Sequence, residues 1–311
     1  MRRNNVSDST PEQFLGESDD DTNDADTSSA KIKAYDVGSS EYELIKEVAS
    51  WDISLRRLLE NNQIDPSHPI AANTAKKDTV LRKLKPIVAL RHEFVKSRLS
   101  GALVRRSRKA SVLYSRIPAI YDLSDGNPRR LIRMFEELCM NVTRDTDGKV
   151  RPVPVEIQAR VMNASASLFR DYLRMLPGAQ VTLTGTKQTV LLYDLLREIG
   201  RYFSSGLLVG PFPLDPKSSF TVDPDTDEGL IRLLRLASYH GAILKVSGDD
   251  TETGDIRGRR FRLCFALCPL FQLPLRLYAP VNLSTCITNR RRYARDPDMI
   301  VSKQMTLGIT Q

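Results

Sequence analysis

The amino-acid sequence predicts a mostly α-helical protein, a helical bundle followed by a small β-hairpin, and three observations indicate this class. Apolar residues recur at helical spacing through most of residues 40–240. Residues suited to helix termini divide that region, as at Asn127 and Gly241. Alternation of apolar and polar residues is confined to residues 242–246 and 259–267, which a polar loop separates.

The charge of the chain is divided unevenly along its length. The whole chain of 311 residues has a net charge of +8. Residues 1–30 contain two arginines and eight acids, a net charge of −6, so the remainder carries +14. Such a basic body favours nucleic acid or another polyanion as partner, and a merely soluble basic surface is the alternative. Residues 1–38 are polar and poor in aromatics, which predicts a disordered acidic segment.

The sequence indicates a cytosolic protein. Met1-Arg2-Arg3 is not followed by the apolar run of a secretory signal. The longest uncharged apolar run, between Arg262 and Arg276, is short and broken by prolines, so we expect no membrane association. The four cysteines show no disulfide framework, which fits a reducing compartment.

Two amphipathic helices are predicted in the first part of the chain. The first covers residues 40–61, with Trp51 on its apolar face, and the second covers residues 78–99 and contains Pro86. Between residues 76 and 116 there are thirteen lysines and arginines and only two acids. This density suggests contact with a polyanion, although a solvated helix face is the common alternative.

A turn that opens a helix is the central feature of the sequence. Gly126 permits a positive φ, Asn127 is a strong N-cap, and Pro128 suits the first helical position. Arg129 and Arg130 stand in the first helical turn, where the helix dipole prefers acids. A residue placed against local preference often has a function elsewhere. The inward face of this helix is predicted to be Leu131, Ile132, Phe135 and Leu138.

The second half of the chain is predicted to contain a winged helix-turn-helix-like domain. Helices are expected at residues 155–175, 187–203 and 227–240, with Gly206 ending the second and Gly241 the third. Residues 220–222 form a candidate strand before the hairpin. A helix, a short strand, a second helix and a two-stranded wing follow one another in the order of a winged helix-turn-helix module. Such a module has two helices between the first strand and the wing, and only one is clear in this sequence. The predicted domains are residues 39–150 and 151–285, followed by a basic tail at residues 286–311.

Basic residues in three places are candidate nucleic-acid ligands, because arginine and lysine bind phosphates without reading sequence. The first group precedes the central turn, the second lies on the wing, and the third lies in the C-terminal tail. Lys245 and Arg232 or Arg235 would extend the wing group, and an exposed basic hairpin is the alternative reading. The three groups are Arg105, Arg106, Arg108 and Lys109; Arg257, Arg259 and Arg260; and Arg290, Arg291 and Arg292.

Enzymatic chemistry by this chain alone is not expected. No G-x-x-x-x-G-K-[ST] phosphate loop occurs, since Gly185-Thr186-Lys187 lacks the upstream glycine. The acids at residues 223–227 fail the calcium-loop pattern. Cys264 and Cys268 are expected to face one side of a strand, and no second pair stands at zinc spacing. No serine or cysteine elbow accompanies the scattered histidines.

The Gly126-Asn127-Pro128-Arg129 helix start resembles the sensor-2 element of AAA+ ATPases. With Arg106-Ser107-Arg108-Lys109, Ile120-Tyr121 and Asp125 before it, the order is similar to the lid of bacterial origin-recognition-complex-like, initiator-type AAA+ ATPases. Gly241-Ala242-Ile243 and Arg260-Phe261-Arg262-Leu263 extend the likeness to the wing, so that it covers residues 78–284. The nucleotide-binding core that such proteins place before the lid is missing.

The resemblance implies a function at an interface. Arg129, with Arg130, Asn127 and Gly126 beside it, would sense the γ-phosphate of ATP in trans. The chain would then be the lid and winged-helix half of a split or truncated ATPase that binds DNA. ATP and Mg²⁺ would be bound only when a nucleotide-binding AAA+ core or subunit completes the site. The alternatives are a nucleotide-independent DNA-binding regulator and a protein-interaction adaptor with basic faces.

Overall fold

The computed structural model of the chain describes residue 15 and residues 39–67, 75–97, 103–106, 110–184, 187–246 and 255–288. These parts are mostly helical, with small sheets, which confirms the predicted fold class. The helices are α1 Ser40–Trp51, α2 Ile53–Asn61, α3 Ala75–Phe94, α4 Arg116–Ser124, α5 Pro128–Cys139, α6 Val155–Met175, α7 Leu192–Leu208, α8 Glu228–Tyr239, α9 Cys268–Phe271 and α10 Leu283–Thr288.

The strands of the described ranges form three two-stranded sheets and one sheet of four strands. The four-stranded sheet has the order β10-β7-β9-β8, in which β9 pairs antiparallel with β7 and β8, and β10 pairs parallel with β7. The strands are β1 Val95–Ser97, β2 Leu103–Arg105, β3 Thr143–Arg144, β4 Val150–Arg151, β5 Gln180–Thr182, β6 Thr189–Leu191, β7 Lys217–Thr221, β8 Ile243–Lys245, β9 Arg260–Leu263 and β10 Ala279–Asn282.

The predicted hairpin is confirmed as β8 and β9. Ile243 lies opposite Leu263, and Phe220 of β7 lies opposite Phe261 on the other side of β9. The rings of Phe220 and Phe261 stack with centroids 6.1 Å apart, so β7 and β9 share a buried aromatic pair. One helix, α8, lies between β7 and β8, as the sequence predicts.

Long-range packing changes several predicted boundaries in the first part of the chain. The helix predicted over residues 40–61 is interrupted at Asp52, whose side chain accepts hydrogen bonds from the backbone of Ser54 and Leu55 and starts α2. Trp51, predicted on the apolar face of this helix, is half-buried and packs against the core. The helix predicted to reach residue 99 ends at Phe94, since Val95 begins β1 and pairs with Arg105.

Three further predictions are wrong in the second half. The helix predicted from residue 187 begins at Leu192, because residues 189–191 pair with β5. Gly206 lies inside α7 rather than after it. Cys264 and Cys268 do not share a strand: β9 ends at Leu263, and a 3-10 helix, Phe265–Leu267, separates the two cysteines.

The inward face of α5 is also partly mispredicted. Met134 and Leu138 are the fully buried positions, with Leu131 and Phe135 half-buried. Ile132 is 57% exposed. An α-helix has 3.6 residues per turn, so the adjacent residues Leu131 and Ile132 point in directions about 100° apart and cannot both face the core.

One residue of the predicted disordered segment lies in the core. Leu15 is 2% exposed, and its carbonyl accepts a hydrogen bond of 2.9 Å from Nε2 of Gln158 on α6. The same amide donates to the carbonyl of Val153, and its oxygen accepts from the backbone N–H of Arg116 at 2.7 Å. Gln158 therefore joins three separate segments of the chain.

Hydrogen bonds cross the predicted domain boundary at residue 150. The hydroxyl of Tyr114 donates to the carbonyls of Leu273 at 2.8 Å and Cys268 at 3.2 Å. Tyr114 is buried, and burial raises the pKa of its hydroxyl far above the ordinary value, so this donor stays protonated. The apolar core is continuous across the boundary, and the division into two domains stays a prediction.

A fully buried arginine joins the first helices to α7. Arg91 is inaccessible to solvent, and its Nη1 lies 2.6 Å from Oδ2 of Asp52. Its Nε donates to the carbonyl of Leu207, and its Nη2 donates to those of Gly210 and Pro211 at 3.1 and 3.0 Å. The guanidinium group thus neutralises the N-cap of α2 and satisfies carbonyls at the end of α7.

We predict that Arg91→Met lowers the free energy of unfolding by about 3–5 kcal/mol, because it leaves the Asp52 carboxylate buried without a partner. Urea denaturation followed by circular dichroism measures the loss. The matched control is Lys217→Met, which removes a surface ion pair with Asp215 and should cost about 1 kcal/mol or less. Equal losses in the two variants would contradict a central role for Arg91.

Candidate functional site

The turn before α5 has the local structure that the sequence predicts. Asp125 and Gly126 adopt positive φ angles of 52° and 71°. Oδ1 of Asn127 accepts a hydrogen bond of 3.2 Å from the backbone N–H of Arg130, and Pro128 is the first helical residue. The N-cap and the helix start are therefore confirmed.

Arg130 faces the protein. Its Nη1 lies 3.2 Å from Oδ2 of Asp125 and 3.4 Å from the carbonyl of Ser124. Its Cζ lies 4.7 Å from the ring centroid of Phe169 on α6, a cation–π contact. Only 12% of the side chain is exposed, so Arg130 fastens the turn to α6.

Asp125 joins this turn to the four-stranded sheet. Its Oδ1 accepts from Nη1 of Arg262 on β9 at 2.9 Å, and its Oδ2 accepts from the backbone N–H of Phe265 at 2.8 Å. The carboxylate is 2% exposed. Burial raises the pKa of Asp125, and the guanidinium groups of Arg262 and Arg130 oppose that rise.

Arg129 is placed in the opposite way to its neighbour. It is exposed at the start of α5, and it makes no ion pair or hydrogen bond with any residue that the structure describes. Because the free N–H groups of a helix start attract anions, an anion bound by Arg129 would also be stabilised by α5. Of the two predicted sensor arginines, only Arg129 has the exposure that a ligand contact needs.

The arginines predicted to bind nucleic acid before the central turn have protein partners. Nη2 of Arg105 donates to Oγ of Ser204 at 2.8 Å and to Oε1 of Gln272 at 2.6 Å. Nε of Arg106 donates to the carbonyl of Val95 at 2.9 Å. Arg108 and Lys109 lie outside the described residues, as do Arg290, Arg291 and Arg292.

The wing arginines are also held by the protein. Arg260 donates to Oγ of Ser219 at 3.0 Å and to the carbonyl of Tyr278 at 2.7 Å, so it ties β9 to the chain before β10. Nη2 of Arg257 lies 2.8 Å from Glu228. Arg259 is half-buried. DNA contact by these three stays a prediction, and their partners restrict how far their side chains can reach.

A basic face on α8 is better exposed. Arg232, Arg235 and Tyr239 are separated by three and four residues, so they share the outer face of the helix while Ile231 and Leu234 are buried. The sequence indicated Arg232 and Arg235 only as an extension of the wing, and it did not indicate Tyr239. Lys245 is exposed on the next strand, β8.

Four arginines near Tyr193 are a second feature that sequence reasoning missed. Cζ of Arg174 lies 4.7 Å from the ring centroid of Tyr193. Burial raises the pKa of Tyr193, and the positive charges of Arg170, Arg174, Arg197 and Arg201 oppose that rise. These arginines stand at helical spacing on α6 and α7, and only the packing of the two helices brings them together. Asp171 and Asp194 pair with three of them.

In the described ranges, no group of three or more His, Cys, Asp or Glu side chains could hold a metal ion. Cys264 and Cys268 are buried, and burial raises the pKa of the Cys264 thiol to about 12. Among the helices that the structure describes, none is long and apolar enough to cross a membrane.

Comparison with known families decides the relationship of this chain. A family model described as ORC-CDC6-like matches residues 1–283. The chain belongs to the ORC-CDC6-like family. The match begins at residue 1, so it includes the acidic segment as well as the residues that carry the sensor-2 resemblance. No curated protein and no solved structure matches this ORC-CDC6-like chain.

We predict that Asp125→Asn lowers the free energy of unfolding by about 3 kcal/mol, because the partly buried guanidinium groups of Arg130 and Arg262 lose their buried counter-charge. Asparagine tolerates the left-handed backbone at this position, so the change isolates the charge. The matched control is Asp122→Asn on α4, an exposed carboxylate that forms no ion pair or hydrogen bond with the residues that the structure describes, so loss of its charge should not destabilise the fold. Thermal unfolding of both variants tests this, and equal melting temperatures would contradict it.

Proposed function

We propose that this chain is the lid and DNA-binding portion of an initiator-type AAA+ ATPase. In this proposal Arg129 contacts the phosphates of ATP, and the phosphate loop that binds this ATP lies outside the 311 residues. The observation that carries the proposal is the exposed Arg129, which has no partner among the described residues, at a capped helix start in an ORC-CDC6-like chain. The sequence contains no phosphate loop, and in this proposal a nucleotide-binding core outside these residues holds the nucleotide.

The chemistry of Arg129 suits a phosphate sensor. A guanidinium group binds phosphate oxygens through parallel charge-assisted hydrogen bonds. An arginine in a first helical turn is disfavoured by the helix dipole, and a bound anion removes that disadvantage. Arg130 and Asp125 fix the backbone from which Arg129 projects, so less side-chain and loop ordering would oppose binding.

The proposed DNA-binding surface is the outer face of α8 with the adjacent strand β8. Arg232 and Arg235 are exposed there, and Lys245 continues the basic face. Glu228 at the start of α8 lies 2.8 Å from Arg257 and 3.8 Å from Arg235, so its closer ion pair is with Arg257. In this proposal the guanidinium groups of Arg232 and Arg235 contact external phosphates. A nucleotide-independent DNA-binding regulator would use the same surface without Arg129.

We expect Arg129→Ala to lower ATP turnover about 10- to 100-fold in a complex reconstituted with a nucleotide-binding AAA+ core, because one charge-assisted hydrogen bond to phosphate is lost. The matched control is Arg133→Ala, one turn further along α5, where the side chain is 60% exposed and lies 3.5 Å from Glu137. That control should retain full turnover. An unchanged rate in Arg129→Ala removes the sensor role and leaves the DNA-binding regulator.

We expect affinity for a duplex DNA to fall steeply as salt rises, because bound phosphates release counterions. The double variant Arg232→Ala/Arg235→Ala should bind more weakly and reduce the slope of log affinity against log salt by about 2. Arg57→Ala, which removes an exposed arginine on α2, is the control and should leave the slope unchanged. Fluorescence anisotropy over a salt series measures both. Absence of DNA binding at low salt would refute the DNA-binding role and favour the protein adaptor.

A further inference from the structure

A row of four rings in contact leads from the turn before α5 to the end of α8. Arg130 lies over Phe169, whose ring stacks on Tyr172 at 6.2 Å with an angle of 17°. Tyr172 meets His240 edge to face at 5.6 Å, and its hydroxyl is hydrogen-bonded to Nδ1 of His240 at 2.7 Å. Tyr239 meets His240 at 5.1 Å and 86°. The rings are held in defined orientations by one another.

Two of these four rings, those of Tyr239 and Tyr172, are open to solvent. Tyr239 is 86% exposed and Tyr172 is 47% exposed, although both are large rings that folding normally covers in part. The hydrogen bond between Tyr172 and His240 fixes the ring of His240, which contacts Tyr239 edge to face, so a ligand on this surface meets rings that are already ordered. Pre-ordering of this kind lowers the conformational cost of binding.

The charge around the rings favours an anionic ligand. Arg235 lies one helical turn before Tyr239 on the same face of α8, and Arg232 lies on the same face one turn earlier. A flat π-surface next to arginines is the arrangement with which proteins bind single-stranded nucleic acid: bases stack on the rings, and phosphates meet the cations. Bases within a duplex are already stacked on one another and cannot use such a ring.

We propose that Tyr239, supported by His240 and Tyr172, is a stacking site for an unpaired base of single-stranded DNA. The inference rests on the proposed DNA-binding function and extends it from duplex phosphates to unpaired bases. The strand would run along α8 so that Arg235 and Arg232 contact its backbone. Leu168 and Met175, exposed on the same face of α6 as Tyr172, make a protein partner the competing occupant.

The test compares binding of a labelled twenty-nucleotide oligothymidine with binding of a duplex of the same length, by fluorescence anisotropy. Tyr239→Ala should weaken oligothymidine binding about 5- to 150-fold, the loss expected for one stacked base. Tyr239→Phe keeps the ring and should bind within twofold of the unmodified protein. Tyr121→Ala, which removes a tyrosine that is 48% exposed elsewhere on the surface, is the matched control and should change nothing. None of the three should alter duplex binding by more than twofold.

The possible results separate the two proposals. If Tyr239→Ala binds oligothymidine as well as Tyr121→Ala does, or if Tyr239→Phe loses as much as Tyr239→Ala, stacking is refuted while duplex binding through α8 still stands. A Tyr239→Ala variant that loses a co-purifying protein partner but keeps oligothymidine also refutes it. If the unmodified protein binds neither nucleic acid, both proposals fail. Because Tyr239 is exposed, its substitution should leave the melting temperature unchanged.

Discussion

The ion pairs and hydrogen bond of the buried Asp125 carboxylate are the interactions on which the arrangement of the turn before α5 depends. The carboxylate receives Arg130 from its own turn, Arg262 from β9 and the backbone of Phe265 beyond that strand. A burial cost is offset only when a charge is paired on several sides, and here two cations and one N–H supply that compensation. The start of α5 is consequently fixed relative to the four-stranded sheet, although the two lie far apart in sequence.

This arrangement gives adjacent arginines different tasks. A helix turns by about 100° between neighbouring positions, so Arg129 and Arg130 cannot face the same environment. Arg130 is held by Asp125 and Phe169, whereas Arg129 points to solvent. A phosphate bound at Arg129 would therefore act on a rigid helix start and not on a loose loop. Arg260 and Arg232 differ in the same way: Arg260 is hydrogen-bonded within the four-stranded sheet, whereas Arg232 is exposed on the outer face of α8.

Local signals predicted the local structure well. Asn127 and Pro128 define a helix start within four residues, and the glycine at residue 241 ends α8 with a φ of 65°. What the sequence could not supply was the partner of each charge. Arg105 binds Gln272 across 167 positions and Arg91 binds Gly210 across 119, distances over which no periodicity carries information. A basic run and a buried polar network therefore look alike in sequence.

The break at Asp52 illustrates the same limit within the fold. The apolar pattern of residues 40–61 continues through Asp52 and predicts one helix. In the structure Asp52 is instead the N-cap of α2, and its carboxylate pairs with the guanidinium group of Arg91. A similar tertiary constraint places the aromatic row. Phe169 and Tyr172 are three residues apart on α6, whereas Tyr239 and His240 lie at the end of α8. Only the tertiary structure brings the two pairs of rings into contact. Arg130 contacts the first ring and Tyr239 is the last, so the turn before α5 and the exposed end of α8 are joined by a continuous set of packed groups. Packed side chains of this kind can carry energetic coupling between two sites only if an element between them has two states, and the buried Asp125 network holds the start of α5 in one.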